Sequence, residues 1–172
     1  MTGPKKIAHL GMLTSLAVIM GYVEYLIPFR FPVPGVKLGL TNVVILLVLY
    51  WYGFGAAAAV SLTRILLSGL LFGNLFGILY SISGMLFSLP VMAWIKRNKS
   101  FSIVGVSALG GALYNTGQIV AAVLVTGPAV IRYLPVLIIA GDITGIMIAV
   151  IDMAVLTRLS PAVSTSLHQD LL

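Results

Sequence analysis

The side chains able to do chemistry in this chain are few, and each sits in oily surroundings. The stretch Gly110-Gly111-Ala112-Leu113-Tyr114-Asn115-Thr116-Gly117-Gln118 sets two amides and a phenol inside a run, Ser100 to Ile131, that has no charged side chain. On a helix Tyr114 and Gln118 are i and i+4, and Asn115 and Gln118 are i and i+3, so the three share one face. Arg64, Asp142 and Asp152 also fall within long apolar runs, while Asn42, Asn74 and Tyr80 lie toward the ends of others. An unpaired amide in hydrocarbon costs several kcal/mol, and a central arginine about 2.5 to 3.5 kcal/mol even on the lower scale, so these groups need protein partners, water or a ligand. The chemistry they offer is recognition: a guanidinium for an anion, amides for directional hydrogen bonds, and Asp142 to hold Arg64 or read a ligand donor. Hydrogen bonding between helices, about 0.6 kcal/mol per contact on average, is the plainer use of the same groups.

Such groups have to be positioned by membrane helices. Hydrophobic residues make up 60% of the 172 residues and charged residues 8%, against about 25% charged in a soluble domain, and the mean hydropathy is strongly positive. The expected fold is all-α, a polytopic membrane bundle forming one transmembrane domain over residues 1–172. At about 20 residues per crossing there is room for six spans and none for a separate soluble domain. Cysteine is absent and His9 and His168 stand near opposite termini, so neither thiol chemistry nor a metal site is expected. The net charge of +6 is spread singly near helix ends and forms no basic stripe with interleaved aromatics, which points to membrane topology and away from nucleic acid. The basic lead Met1 to Lys6 is followed by an apolar run without a small-residue cleavage site, so this segment is expected to stay as a helix.

The expected spans are Ile7 to Ile27, Leu38 to Tyr50, Phe54 to Leu70, Leu75 to Ile95, Ser102 to Val125 and Arg132 to Leu156. Between the first two, Pro28 to Lys37 carries three prolines, a glycine, two phenylalanines, Arg30 and Lys37, which is not helical and suits a lid over a cavity. Tyr50-Trp51-Tyr52 matches an aromatic belt at an interface. Gly11 with Ser15, and Ala17 with Gly21, mark faces of the first span where another backbone approaches closely. A cytoplasmic N-terminus puts Lys5, Lys6, Lys96, Arg97, Lys99 and Arg158 inside and Arg30, Lys37 and Arg132 outside, obeying the positive-inside rule with both termini cytoplasmic. Asn42, Asn74, Asn115 and Gln118 then lie in the outer half, and Arg64 and Asp142 nearer the midplane. Separate crossings thus converge on one expected pocket, open outward and sealed inward apart from Asp152. No phosphate-cradling glycine-lysine loop is present, so ATP hydrolysis needs a partner. No second half with matching broken helices is present either, unlike many secondary transporters.

Four strings carry a family resemblance: KLGLTN at Lys37 to Asn42, RILLSGLLFG at Arg64 to Gly73, SISGMLFSLPVM at Ser81 to Met92 and GALYNTGQ at Gly111 to Gln118. They resemble the Gx transporter family, also labelled heptaprenyl diphosphate synthase component I, which is similar to the substrate-binding S components of energy-coupling factor importers. The resemblance implies a six-helix bundle in the bacterial plasma membrane that captures a small molecule with outer-half residues. It would hand that molecule on through a shared transmembrane coupling subunit and two ATPase subunits, with no cofactor and no catalysis of its own. The candidate binding residues are Arg30, Lys37, Asn42, Arg64, Asn74, Tyr80, Tyr114, Asn115, Gln118 and Asp142. The alanine-x-x-x-alanine docking face typical of the first helix is approximated by Ala8, Gly11 and Ser15, and Tyr114 stands where a histidine is often expected. A carboxylated vitamin-like compound or an isoprenoid or quinone precursor fits the cations. The competing expectation is a membrane accessory subunit of prenyl diphosphate synthesis. Against it, no aspartate-rich magnesium motif is present, and Asp142 and Asp152 stand about 15 Å apart along one helix.

Overall fold

A computed structural model describes residues 3–26, 39–97 and 101–167, with side chains from 4 to 157 within those ranges. Among the described residues the chain is all-helical: α1 (Gly3–Leu26), α2 (Leu40–Tyr52), α3 (Phe54–Leu71), α4 (Leu75–Arg97), α5 (Ile103–Thr126), a 3-10 segment (Pro128–Tyr133) and α6 (Leu134–Leu167). Five of these helices, all but α2, are long and apolar enough to cross a membrane. The sixth expected span begins later than Arg132 and runs past Leu156. Proline at the start of the 3-10 segment removes a donor, and regular α-helix is established only from Leu134.

The second expected span, Leu38 to Tyr50, needs the larger correction. At 13 residues, α2 is about 20 Å long, against a hydrocarbon core of about 30 Å. Every residue from Val43 to Tyr50 is buried, and α2 touches α1, α3 and α6. A helix that is apolar all round is stable where all its faces are covered by protein, so α2 forms the centre of the bundle and not part of its wall. Tyr50 is therefore no belt residue. Its ring lies buried beneath Lys96 Nζ at 4.8 Å, and the ammonium donates to the Leu49 and Tyr50 carbonyls at 3.1 Å each. These are final carbonyls of α2, where a cation is favoured by the helix dipole. Gly53 then reverses the chain into α3 with φ 83°, a conformation that side-chain-bearing residues rarely adopt.

The amide-bearing stretch of α5 is also its packing seam. α5 lies between α4 and α6, its two most extensive neighbours. A Cβ on Gly117 would fall 2.7 Å from the Ser83 carbonyl oxygen and 2.9 Å from Gly84 Cα, and one on Gly111 would overlap the Gly141 carbonyl. Glycine at these positions lets helix backbones touch, the usual way helices associate where lipid offers no hydrophobic drive. Ser83 Oγ completes the α4 contact by donating to the Gly117 carbonyl at 2.7 Å.

Candidate functional site

One region of the bundle collects the C-terminal halves of α1 and α3, the N-terminal turns of α2 and α4, the middle of α5 and the first third of α6. A cavity of about 180 Å³ opens there. Along α3 its lining residues are Arg64, Ile65, Ser68, Gly69 and Phe72, and along α4 they are Gly77, Ile78 and Ser81, with Asn74 just before that helix. Along α5 they are Gly111, Tyr114, Asn115 and Gln118; α1 supplies Glu24 and Tyr25, α2 supplies Thr41 and Asn42, and α6 supplies Thr144. Along α3, α4 and α5 the lining residues recur at three- or four-residue intervals, the spacing of one helix face.

Several of these side chains are held by the protein itself. Asn115 Nδ2 donates to the Leu137 carbonyl at 2.7 Å, an α5 to α6 bond. Asn74 Oδ1 accepts from Gly77 N at 2.7 Å and so caps the start of α4. Glu24 Oε1 accepts from Gly39 N at 2.6 Å, tying the end of α1 to the entry of α2, where a carboxylate also complements the dipole. Three other atoms are left over. Arg64 Nε, Ser68 Oγ and Gln118 Oε1 are buried and have no hydrogen-bond partner, and all three residues line the cavity. Gln118 is only 7% exposed. A buried donor or acceptor left unmade costs about 1 to 3 kcal/mol, so these three leave hydrogen-bonding capacity in the cavity wall that the protein itself does not use.

Of the residues expected from sequence, Asn42, Arg64, Asn74, Tyr114, Asn115 and Gln118 meet at this cavity. Tyr80 and Asp142 do not line it. The cavity-facing stripe of α4 passes through Gly77, Ile78 and Ser81, leaving Tyr80 to one side. On α6 it is Thr144 that faces in, and two residues along a helix turn the side chain by about 200°. Arg64 and Asp142 form no ion pair among the described residues. Arg30, Lys37 and the rest of the proline-rich loop lie outside the described residues. Sequence reasoning passed over Glu24, Ser68, Ser81 and Thr144 as site residues. Ser68 was findable, being i+4 from Arg64 on the same face; Glu24 is the one acidic residue of α1.

A smaller chamber of about 40 Å³ adjoins the first and shares Asn42, Gly111, Tyr114 and Thr144 with it. Its remaining wall is apolar, with the hydroxyls of Ser61, Ser88 and Ser107 added from three helices. Farther along α6, Asp152 is fully buried and both its carboxyl oxygens lack hydrogen-bond partners. On α1, Ala8, Gly11 and Ser15 are exposed, and no atom lies within 4 Å of where a Gly11 Cβ would be. Ala17 and Gly21 instead turn inward, Ala17 fully buried and Gly21 close to Ser68 and Thr41.

Taken together, an apolar helical bundle with five helices long enough to cross a bilayer, enclosing a partly polar cavity, defines a multi-pass membrane protein. The chain belongs to the heptaprenyl diphosphate synthase component I family, whose model matches residues 13–155. No curated protein and no solved structure matches it significantly.

Proposed function

We propose that this chain is the substrate-binding S component of an energy-coupling factor importer. The observation that carries the reading is the cavity of about 180 Å³ to which all six helices contribute, with Arg64 Nε, Ser68 Oγ and Gln118 Oε1 unpartnered in its wall. A site of this kind takes up a small solute. Arg64, together with the N-terminal end of α2 at Gly39, Thr41 and Asn42, favours an anionic one. With the N-terminus cytoplasmic the cavity faces outward in a bacterial plasma membrane, and the segment joining α1 to α2 carries two further cations in its sequence, Arg30 and Lys37. The chain is a binding subunit without catalysis. Delivery of the solute falls to a transmembrane coupling subunit and two ATPase subunits, docked along the open face of α1 at Ala8, Gly11 and Ser15.

The test is affinity isolation of the tagged chain from its native membrane, followed by ATP-dependent uptake in proteoliposomes. Co-isolation of an ATPase pair with a second membrane subunit is the expected result. Co-isolation with a soluble prenyl diphosphate synthase, with isoprenyl diphosphate turnover that requires this chain, would replace the importer reading by the accessory-subunit one suggested by the family's label.

A further inference from the structure

Resting on the reading of this cavity as a solute site, we infer that its ligand is amphoteric: an anion that also presents an N–H or O–H donor away from its acidic group. Arg64 and Glu24 both line the cavity, and no ion pair joins them among the described residues. Glu24 is engaged through Oε1 by Gly39 N, so it is the Arg64 guanidinium, with Nε unpartnered, that is left for the ligand. Arg64 Nε can only donate and calls for an acceptor. Gln118 Oε1 can only accept, and at 7% exposure with no partner it calls for a donor.

The division of labour follows from what is already occupied. Asn115 spends an amide hydrogen on the Leu137 carbonyl and Asn74 spends its oxygen on Gly77 N. Ser68, one helical turn from Arg64, either donates or accepts and reinforces whichever group lies beside the guanidinium. A simple carboxylate would satisfy Arg64 and leave Gln118 Oε1 with neither a protein nor a ligand donor. A neutral donor would do the reverse. Either choice forfeits a buried hydrogen bond, and a site built around a hydrogen-bonding group rejects the analogue lacking it strongly. Size sets a further limit. An engineered apolar cavity of roughly 150 Å³ holds one benzene, so a cavity of about 180 Å³ suits one ring with short polar substituents, not a long polyprenyl chain.

The experiment equilibrates the detergent-purified full chain with the small-molecule fraction of yeast extract, removes unbound solute by gel filtration, and identifies what is released by mass spectrometry in H2O and in D2O. Gln118→Leu, Gln118→Glu and Arg64→Gln are run beside the wild type, with helicity and monodispersity checked for each. The expected retained compound ionises as an anion and exchanges at least one hydrogen beyond its acidic one. Its retention falls about tenfold or more in Arg64→Gln and in Gln118→Leu, as loss of a charge-assisted or buried contact implies, and is less reduced in Gln118→Glu, which keeps the acceptor. Retention of a neutral compound, or of an anion with no other exchangeable hydrogen, overturns the amphoteric assignment while leaving the solute site standing. Full retention by folded Gln118→Leu overturns it in the same way. No enrichment of any solute by the wild type removes the solute site itself, and the inference with it.

Discussion

Replacing Gly117 with alanine tests whether the α4 to α5 seam is set by backbone contact. The added methyl would sit 2.7 Å from the Ser83 carbonyl oxygen, 2.9 Å from Gly84 Cα and 3.0 Å from the Ser83 carbonyl carbon. All three are backbone atoms, so no flexible side chain can swing aside. To reach ordinary contact at 3.4 Å the helices must part by 0.7 Å at this point, which also stretches the Ser83 to Gly117 hydrogen bond of 2.7 Å. Overpacking of this kind costs about 1 to 3 kcal/mol, offset by up to about 1 kcal/mol of gained helix propensity. The net loss centres on about 1 to 2 kcal/mol, which at about 2 to 4 °C per kcal/mol for a chain of this length gives a fall of roughly 2 to 8 °C in the unfolding midpoint. The assay is thermal unfolding in one detergent, followed by tryptophan fluorescence. Gly11→Ala is the matched control: nothing lies within 4 Å of its new methyl, so the same substitution should hold or raise the midpoint. A Gly117→Ala protein as stable as wild type would refute the claim that α4 and α5 meet backbone to backbone. Because Gln118 is the next residue, the same variant should also weaken solute retention.

Asn115→Ala should lower stability by about 0.6 kcal/mol and at most about 1.7, the span measured for hydrogen bonds between membrane helices, checked by the same unfolding assay. A much larger loss would mean that the Leu137 contact carries more than helix pairing. Asp152→Val should raise the midpoint, since a fully buried carboxyl without a hydrogen-bond partner costs about 1 to 3 kcal/mol that an apolar side chain of similar size does not; a destabilised but folded variant would reveal a partner that α6 depends on. Glu24→Ala removes the acceptor of Gly39 N and should cost about 1.5 to 3 kcal/mol, the range for hydrogen bonds to charged groups. It should also raise hydrogen exchange at the N-terminal turn of α2, measurable by mass spectrometry.

How far the sequence discloses this molecule depends on which physical signal each feature leaves. Length and apolarity fix the long helices, because a run that must hide every backbone group from lipid has little choice but to be helical. The face of α5 was legible for the same reason: Gly111, Tyr114, Asn115 and Gln118 repeat at helical spacing within an uncharged run, and all four line the cavity. The role of α2 was less legible. Its residues Val43 to Leu49 are uniformly apolar, and hydropathy scores a lipid-facing wall and a protein-covered core alike. At 13 residues it is neither longer nor shorter than the expected Leu38 to Tyr50, and it is burial of every residue from Val43 to Tyr50 that separates the two.

Height along the helix alone puts Asp142 and Arg64 near one level, but rotation about the axis counts as well: α6 turns Thr144 to the cavity and keeps Asp142 off it. An acidic residue at the right height is an obvious counter-charge for a buried arginine, and the inference fails because a helix spends about 100° on each residue. Asn115 shows the converse, being at the right height on the right face and yet bonded to a neighbouring backbone carbonyl. Burial on a cavity wall is therefore insufficient to single out the residues that read a ligand. The discriminating observation is the hydrogen bond left unmade, and at Gln118 that is a fact of three-dimensional packing for which the one-dimensional pattern holds no trace.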